Sequence, residues 1–385
     1  MFIAYTITYI ILLYFGPTVE IISPLFMIVI SLLREFYLVF VFFYFVYSVS
    51  VRNRVIFSAE NVLFFLCLFF ALPFILQAGI VRGLTNYIIF FSGPYLFLVI
   101  SNLRFSETAI RNYRYMLRLV LDFLCMCGIP LYFLQGKIVD YFGYENFKNF
   151  FLTDVSEKLR LFGLGFHPTT TGFLYIYTAA LLFFTRKNKI KPAIYFCANL
   201  LSHTRSALFG IPSYVFFKLK KHWRFLIIPL IGFAFFVIFR MVVNKSIYKY
   251  LDTSAIVHLL HLFVTGPQAV LRYPFGTGLG TVSPYSEPPY IIHLESDVYL
   301  YSIQLGIFNI VLYIGAIIVI IRKLLTSISS ETKYLVFIVL TFMLGCFVFP
   351  LHSLRFTSNF VFIELGFWAS KNHWNTRSVG QCSLS

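Results

Sequence analysis

The sequence predicts an all-α fold, a polytopic membrane helix bundle, on three observations. Of 385 residues 59% are hydrophobic and 12% charged, with 49 Phe and 26 Tyr, whereas a soluble domain carries about 25% charged residues to cover its surface. The apolar residues fall in runs recurring from Met1 almost to the C-terminus, and the charges gather in short connections, as in a chain solvated by lipid. Run length excludes a β-barrel: barrel strands alternate over about 10 residues, while Asn61 to Gln77 is almost continuously apolar.

In chain order, apolar spans fall at 2–17, 21–47, 56–78, 86–102, 116–135, 168–185, 192–217, 224–243, 297–321, 334–350 and 356–370. With one short helix hairpin this makes about 11 to 12 transmembrane segments in a single integral domain, 1–385. The first run lacks the basic flank and small-residue cleavage site of a removable signal, so it is expected to persist as a span. The second carries Arg34 and Glu35 in its middle. It is either one span or two, and an adjacent ion pair at that depth would face other helices rather than lipid.

Five connections, around 52–54, 104–118, 186–191, 218–224 and 322–333, hold 17 basic residues against two acids, Glu107 and Glu331. The positive-inside rule places these in the cytoplasm, together with both termini. Two longer loops, 136–166 and 244–295, are balanced, four basic against four acidic and three against three. They belong on the opposite, periplasmic side. The run 192–217 has basic flanks at both ends yet only 26 residues, too few for two spans of about 20 each. It is expected to dip into the bilayer and return, with Ser202-His203-Thr204-Arg205-Ser206 at its tip.

The net charge of +16 would suit nucleic acid in a soluble protein, but here it is the orientation signal, and no nucleic-acid partner is expected. Six cysteines lie mostly inside apolar runs, which supports neither a disulfide framework nor a zinc site. His258 and His261 lie three apart on an apolar stretch without a nearby carboxylate, so no metal is expected either.

Three stretches carry chemistry. At the hairpin tip, Arg205 faces a polar cavity or an anionic ligand, or else snorkels to the interface. The first outer loop closes on Arg160, His167 and Pro168, with Thr169, Thr170 and Thr171 behind the proline. Pro suits the first helical turn, whose free amides attract anions, and an arginine can bind phosphate bidentately. A routine interfacial helix start is the alternative. The second loop carries Arg272, Tyr273, Gly276, Gly278 and Gly280, then a Pro- and Tyr-rich segment ending in His293, Glu295, Ser296 and Asp297. The glycines permit tight turns beneath a bulky ligand, and the aromatic rings offer faces for sugars. Glu295 and Asp297 complement the dipole of the next helix. A carboxylate such as Glu295 can also take a proton from a hydroxyl.

In order, spacing and placement on one face of the membrane these motifs resemble those of O-antigen polymerases of the Wzy type, whose wider relatives are the O-antigen ligases. Arg160-Leu161-Phe162-Gly163 with Pro168, Thr204-Arg205-Ser206-Ala207, the Gly276, Gly278, Gly280 run, and Glu295-Ser296-Asp297 eleven residues before Gly306 carry the likeness. Thr169 and Thr204 depart from the family's Asn and Ser. Ligase relatives carry His where this chain has Glu295. The resemblance implies a GT-C-like fold in the bacterial inner membrane and a metal-independent, cofactor-free glycosyl transfer between two polyprenyl-diphosphate-linked oligosaccharides. In that scheme Arg205 and Arg160 stabilise the departing diphosphate and Glu295 activates the acceptor. Arg272, Tyr273, His167, His293 and the three glycines bind substrate, lipid fills a groove among the helices, and a chain-length regulator is a further partner. A ligase, or a repeat-unit flippase or transporter, is the competing reading.

Overall fold

The computed structural model describes residues 1–22, 24–52, 55–77, 79–142, 164, 168–185, 189–201, 210, 213, 237, 240–241, 244, 259–281, 296–326, 329–346 and 355–381. Among them every regular element is helical. The chain runs α1 (Phe2–Ile22), α2 (Pro24–Arg52), α3 (Ala59–Ala71), α4 (Phe74–Gln77), α5 (Ile80–Asn102), α6 (Glu107–Phe142), α7 (Pro168–Thr185) and α8 (Ile190–Leu201). A π-helical turn (His261–Thr265) leads into α9 (Gly266–Arg272), followed by α10 (Asp297–Thr326), α11 (Ser330–Cys346) and α12 (Phe356–Gln381). Five of the described helical stretches, Ile28–Val51, Ala59–Gln77, Ile80–Asn102, Glu107–Leu134 and Asp297–Thr326, are long and apolar enough to cross a membrane. The protein is an α-helical membrane bundle.

Local chemistry sets the boundaries. Ser58 caps α3 by accepting from the Asn61 amide at 3.4 Å, and Ser106 caps α6 by accepting from Ala109 at 3.1 Å. Ser329 and Thr332 cap α11 reciprocally, each side chain accepting from the other's amide at 3.1 and 2.9 Å, the geometry of a capping box. The apolar run 56–78 is divided at Leu72-Pro73, so that α3 and α4 are separate helices. Pro lacks the amide that a continuous helix would need. α6 reaches Phe142, seven residues into the segment read from sequence as the first outer loop.

Helices α7 and α12 form the centre. Thr170 to Leu182 and Phe356 to Ser370 are buried without interruption, as expected of helices apolar around their whole circumference. α12 packs closely on α5 because glycine meets bulk at both crossings. A Cβ on Gly93 would lie 2.4 Å from the Phe362 ring, and one on Gly366 would lie 2.9 Å from Ile100. Small residues at such contacts let helix backbones approach in lipid. α2, by contrast, leaves Leu32, Phe36, Phe43 and Tyr47 exposed along its length.

Several charged groups inside this bundle have partners on other elements. α2 is one continuous helix through Arg34 and Glu35, and Glu35 pairs with Arg355, which precedes α12, rather than with its neighbour. Arg34 donates instead to Ser31 Oγ at 2.8 Å. Beside the Arg355 pair, Asn359 donates to the Tyr9 hydroxyl at 2.8 Å and accepts from Ser92 at 2.9 Å. Asp122 of α6 takes Lys191 at 3.0 Å and the Tyr195 hydroxyl at 2.5 Å, both from α8.

The start of α6, the end of α7 and the start of α11 share one end of the bundle. There Lys323 pairs with buried Glu60 at 2.6 Å, and Glu331 takes both Arg114 and Lys371. Glu331 precedes the apolar stretch beginning at Tyr334. Burial alone would raise its carboxyl, but the hydrogen bond and charge of Arg114, with Lys371, hold it below the ordinary value. A depressed acid contributes its stability above its unfolded pKa and loses it as pH falls through the folded value. Glu331→Gln is therefore expected to cost about 1–3 kcal/mol at neutral pH, read as a lower thermal midpoint in neutral detergent. The difference between variant and parent should shrink as the buffer is taken below the ordinary carboxylate range.

Candidate functional site

The site grows from one defect in a membrane helix. Gly306, inside α10, has φ +78°, so the helix breaks there. A break exposes carbonyls and amides that lipid cannot satisfy. The segment Tyr273–Thr281 takes over the ladder bond by bond. Ile303 O, which a continuous helix would offer to Ile307, accepts the Thr277 amide at 2.8 Å, and Gln304 O accepts the Gly278 amide at 3.0 Å. The Ile307 amide in turn donates to Pro274 O at 2.9 Å. The Gln304 side chain completes the seam by accepting from the Gly280 amide at 2.9 Å.

This fit is why the turn is rich in glycine. Gly276, Gly278 and Gly280 have φ of +89°, +103° and +85°, values that side chains with a Cβ rarely adopt. Space is short as well: a Cβ on Gly278 would lie 2.5 Å from Gln77 Cβ, and one on Gly306 would lie 2.9 Å from the Phe275 carbonyl carbon. On the other side of the turn Leu279, fully buried, donates its amide to Phe74 O at 2.9 Å. The glycine turn is thus wedged between the start of α4 and the break in α10.

α9 delivers the turn and packs along the first half of α10, where the Tyr299 hydroxyl donates to Leu262 O at 2.8 Å. At its end Arg272 is exposed, its guanidinium 5.5 Å from the centroid of the Tyr273 ring. Tyr273 packs its body against the buried cluster around Leu279, Leu300 and Ile303. Phe275, 88% exposed, projects from the turn.

In the first turn of α10 Asp297 is buried, 1% exposed. It faces a cavity of about 20 Å³ with Tyr301, Asn309, Cys67 and Cys346 on its walls, room for one water. Cys346 lines the same cavity as Asp297, and an acid in the first turn complements the helix dipole. Buried acids in membrane helices mark functional positions by their expense.

The structure thus brings together five of the residues singled out in the sequence, Arg272, Tyr273, Gly276, Gly278 and Gly280, at the first half of α10. The amides of Gly278 and Gly280 are engaged by α10 itself. Arg160, His167, Arg205, His293 and Glu295 lie outside the described residues. So does the hairpin tip, although α8 coincides with the first half of the run 192–217. Of the histidine pair, His261 sits in the π-helical turn and His258 lies outside the described residues.

Gln304 escaped the sequence reading: it bonds to a segment 24 residues earlier, and nothing in its immediate neighbourhood marks it. Asp297 was read from sequence as a helix-start acid and as part of the Glu295-Ser296-Asp297 run, but its burial was not. No protein-family model matches the chain, and no curated protein matches it.

Gly278→Ala is expected to lower stability in detergent by about 1–3 kcal/mol, the scale of forcing a side chain into sparsely populated backbone space. Gly315→Ala, where the new Cβ would meet only Leu63 at 3.8 Å, should leave the midpoint unchanged. Thermal unfolding of the two variants side by side checks this.

Proposed function

We propose that this protein is an O-antigen polymerase that joins polyprenyl-diphosphate-linked oligosaccharide repeat units on the periplasmic face of the bacterial inner membrane. The observation that carries the reading is the docking of the Arg272 to Gly280 run on the broken helix α10, whose first turn holds Asp297, two residues after Glu295. Irregular backbone at membrane depth is tolerated where protein or a cavity covers it, and discontinuous helices of this kind build binding sites.

The chemistry follows from charge. A sugar leaving its lipid diphosphate places two to three negative charges on the departing group, and fixed cations lower the barrier when they stand where that charge develops. Arg205 and Arg160 supply them, with Arg272 at the mouth, and no metal is needed for the purpose. Glu295 accepts the proton of the acceptor hydroxyl as that oxygen attacks the anomeric carbon. The C–O bond to the diphosphate breaks as the new glycosidic bond forms, in line and with inversion. The aromatic faces of Tyr273 and its neighbours hold sugar rings, His167, His293 and the glycine turn complete the substrate pocket, and the prenyl chain lies among Phe-rich helices. In this reading the fold is of the GT-C kind, with the basic connections and both termini in the cytoplasm.

The test is complementation of a deletion strain. Without this chain the lipopolysaccharide should carry a single capped repeat unit, and the wild-type chain should restore the ladder. Arg205→Lys and Glu295→Gln should each fail to restore it, with Glu295→Gln lowering turnover in vitro by about 10²- to 10⁴-fold. A ladder of wild-type length with either variant refutes that residue's role. Loss of every outer repeat in the deletion strain assigns the protein instead to flipping or ligation.

A further inference from the structure

At the opposite end of the bundle from the glycine turn lies a second built site. Between α6, α7 and α12 is a crevice of about 510 Å³ whose lining includes Arg111, Arg114, Arg118 and Lys371, with Glu107 as the one acid among the described lining residues. Positions 111, 114 and 118 are spaced by three and four, which stacks the guanidinium groups on one face of α6. Arg114 and Lys371 are tied to Glu331, and Arg114 also borders a neighbouring cavity that holds Glu331 and Glu364. The other two cations are not neutralised in this way. Arg111 is exposed, and neither it nor Arg118 forms an ion pair among the described residues.

Arg118 is the telling residue. Its guanidinium stands 5.5 Å from the centroid of the Tyr115 ring, and its Nε is buried without a hydrogen-bond acceptor among the described residues. A buried donor in that state is destabilising unless something supplies the oxygen. Here the cavity is left open, wide and basic.

The outer flank of α6 decides what enters. Tyr115 lines the crevice and is also exposed, and Leu119 and Phe123 continue the exposed apolar stripe one and two turns further along. In a membrane that stripe meets acyl chains. A ligand spanning both surfaces carries an oxyanion at one end and hydrocarbon at the other.

We propose that this crevice binds the phosphodiester headgroup of an anionic phospholipid, with Arg111 and Arg118 on the phosphate and the acyl chains along Tyr115, Leu119 and Phe123. The planar fork of arginine matches phosphate oxygens in a way that a generic surface lysine does not. Basic pockets between membrane helices are suited to such headgroups. The site shares no residue with the glycine turn and does not depend on the activity proposed above.

The full-length protein, purified in neutral detergent and titrated with phosphatidylglycerol or with phosphatidylcholine of the same acyl chains, is read by native mass spectrometry. Wild type should retain phosphatidylglycerol about tenfold better than phosphatidylcholine, and Arg118→Gln and Arg111→Gln should each reduce phosphatidylglycerol retention by about tenfold, the size of one lost charge-assisted hydrogen bond. Arg111 is exposed, so its variant carries the test if Arg118→Gln does not survive purification. Arg322→Gln, an exposed arginine of α10 outside the crevice lining, should retain the lipid as wild type does. Equal retention of the two lipids overturns the proposal, as does equal loss with Arg322→Gln, which would mean diffuse surface charge. Displacement of phosphatidylglycerol by inorganic phosphate in large excess would assign the crevice to a soluble anion and equally overturn it.

Discussion

The constraint on which this architecture depends is that lipid hydrogen-bonds nothing. Each backbone amide and carbonyl within the bilayer must therefore find its partner inside the protein. Most of the bundle meets this with unbroken helices. At Gly306 it does not, and the consequence propagates: α10 needs the turn Tyr273–Thr281, the turn needs glycines at φ between +85° and +103°, and α4 needs to stand where Phe74 O can receive Leu279. One interrupted helix thus dictates the placement of two other segments. The same three segments bring the exposed Arg272 and the buried Asp297 to one half of α10.

Charges follow the same logic at a higher tariff. Glu35, Glu60, Asp122 and Glu331 each take a basic partner from a different helix or its flank, so the ion pairs serve as pins between elements far apart in the chain. The crevice around Arg111 and Arg118 departs from this pattern, which is what gives it significance. In a bundle where acids answer several of the cations, two guanidinium groups that form no ion pair among the described residues call for an anion from elsewhere.

Much of this was legible in the sequence, for reasons of period and length. Long apolar runs translate directly into helices, and α1, α5, α7, α10, α11 and α12 lie where those runs lie, α5 and α10 being long and apolar enough to cross a membrane. The positions of Gly276, Gly278 and Gly280 also announced a tight turn, because few other residues tolerate its geometry. What could not be read were the partners. Arg34 beside Glu35 resembles a local ion pair, yet Glu35 reaches Arg355, 320 residues away. The docking of Gln304 on Gly280, the extension of α6 to Phe142 and the division of 56–78 at Pro73 are likewise settled by tertiary packing. The roles proposed for Arg205 and Glu295, the residues with the strongest chemical signal in sequence, rest on the resemblance and on charge.

α12 has a bearing on how the protein is made. It comes after every other described element in chain order, yet it is buried throughout its apolar length and packs against α1, α5, α7 and α11. Helices that emerge earlier from the ribosome therefore enter the bilayer before the element they surround exists. Gly93 and the polar pair Tyr9 and Ser92 wait in the membrane for Phe362 and Asn359. Packing of the core around α12 therefore waits for Phe356–Ser370 to be made, and until then the earlier helices present an unfilled apolar seam.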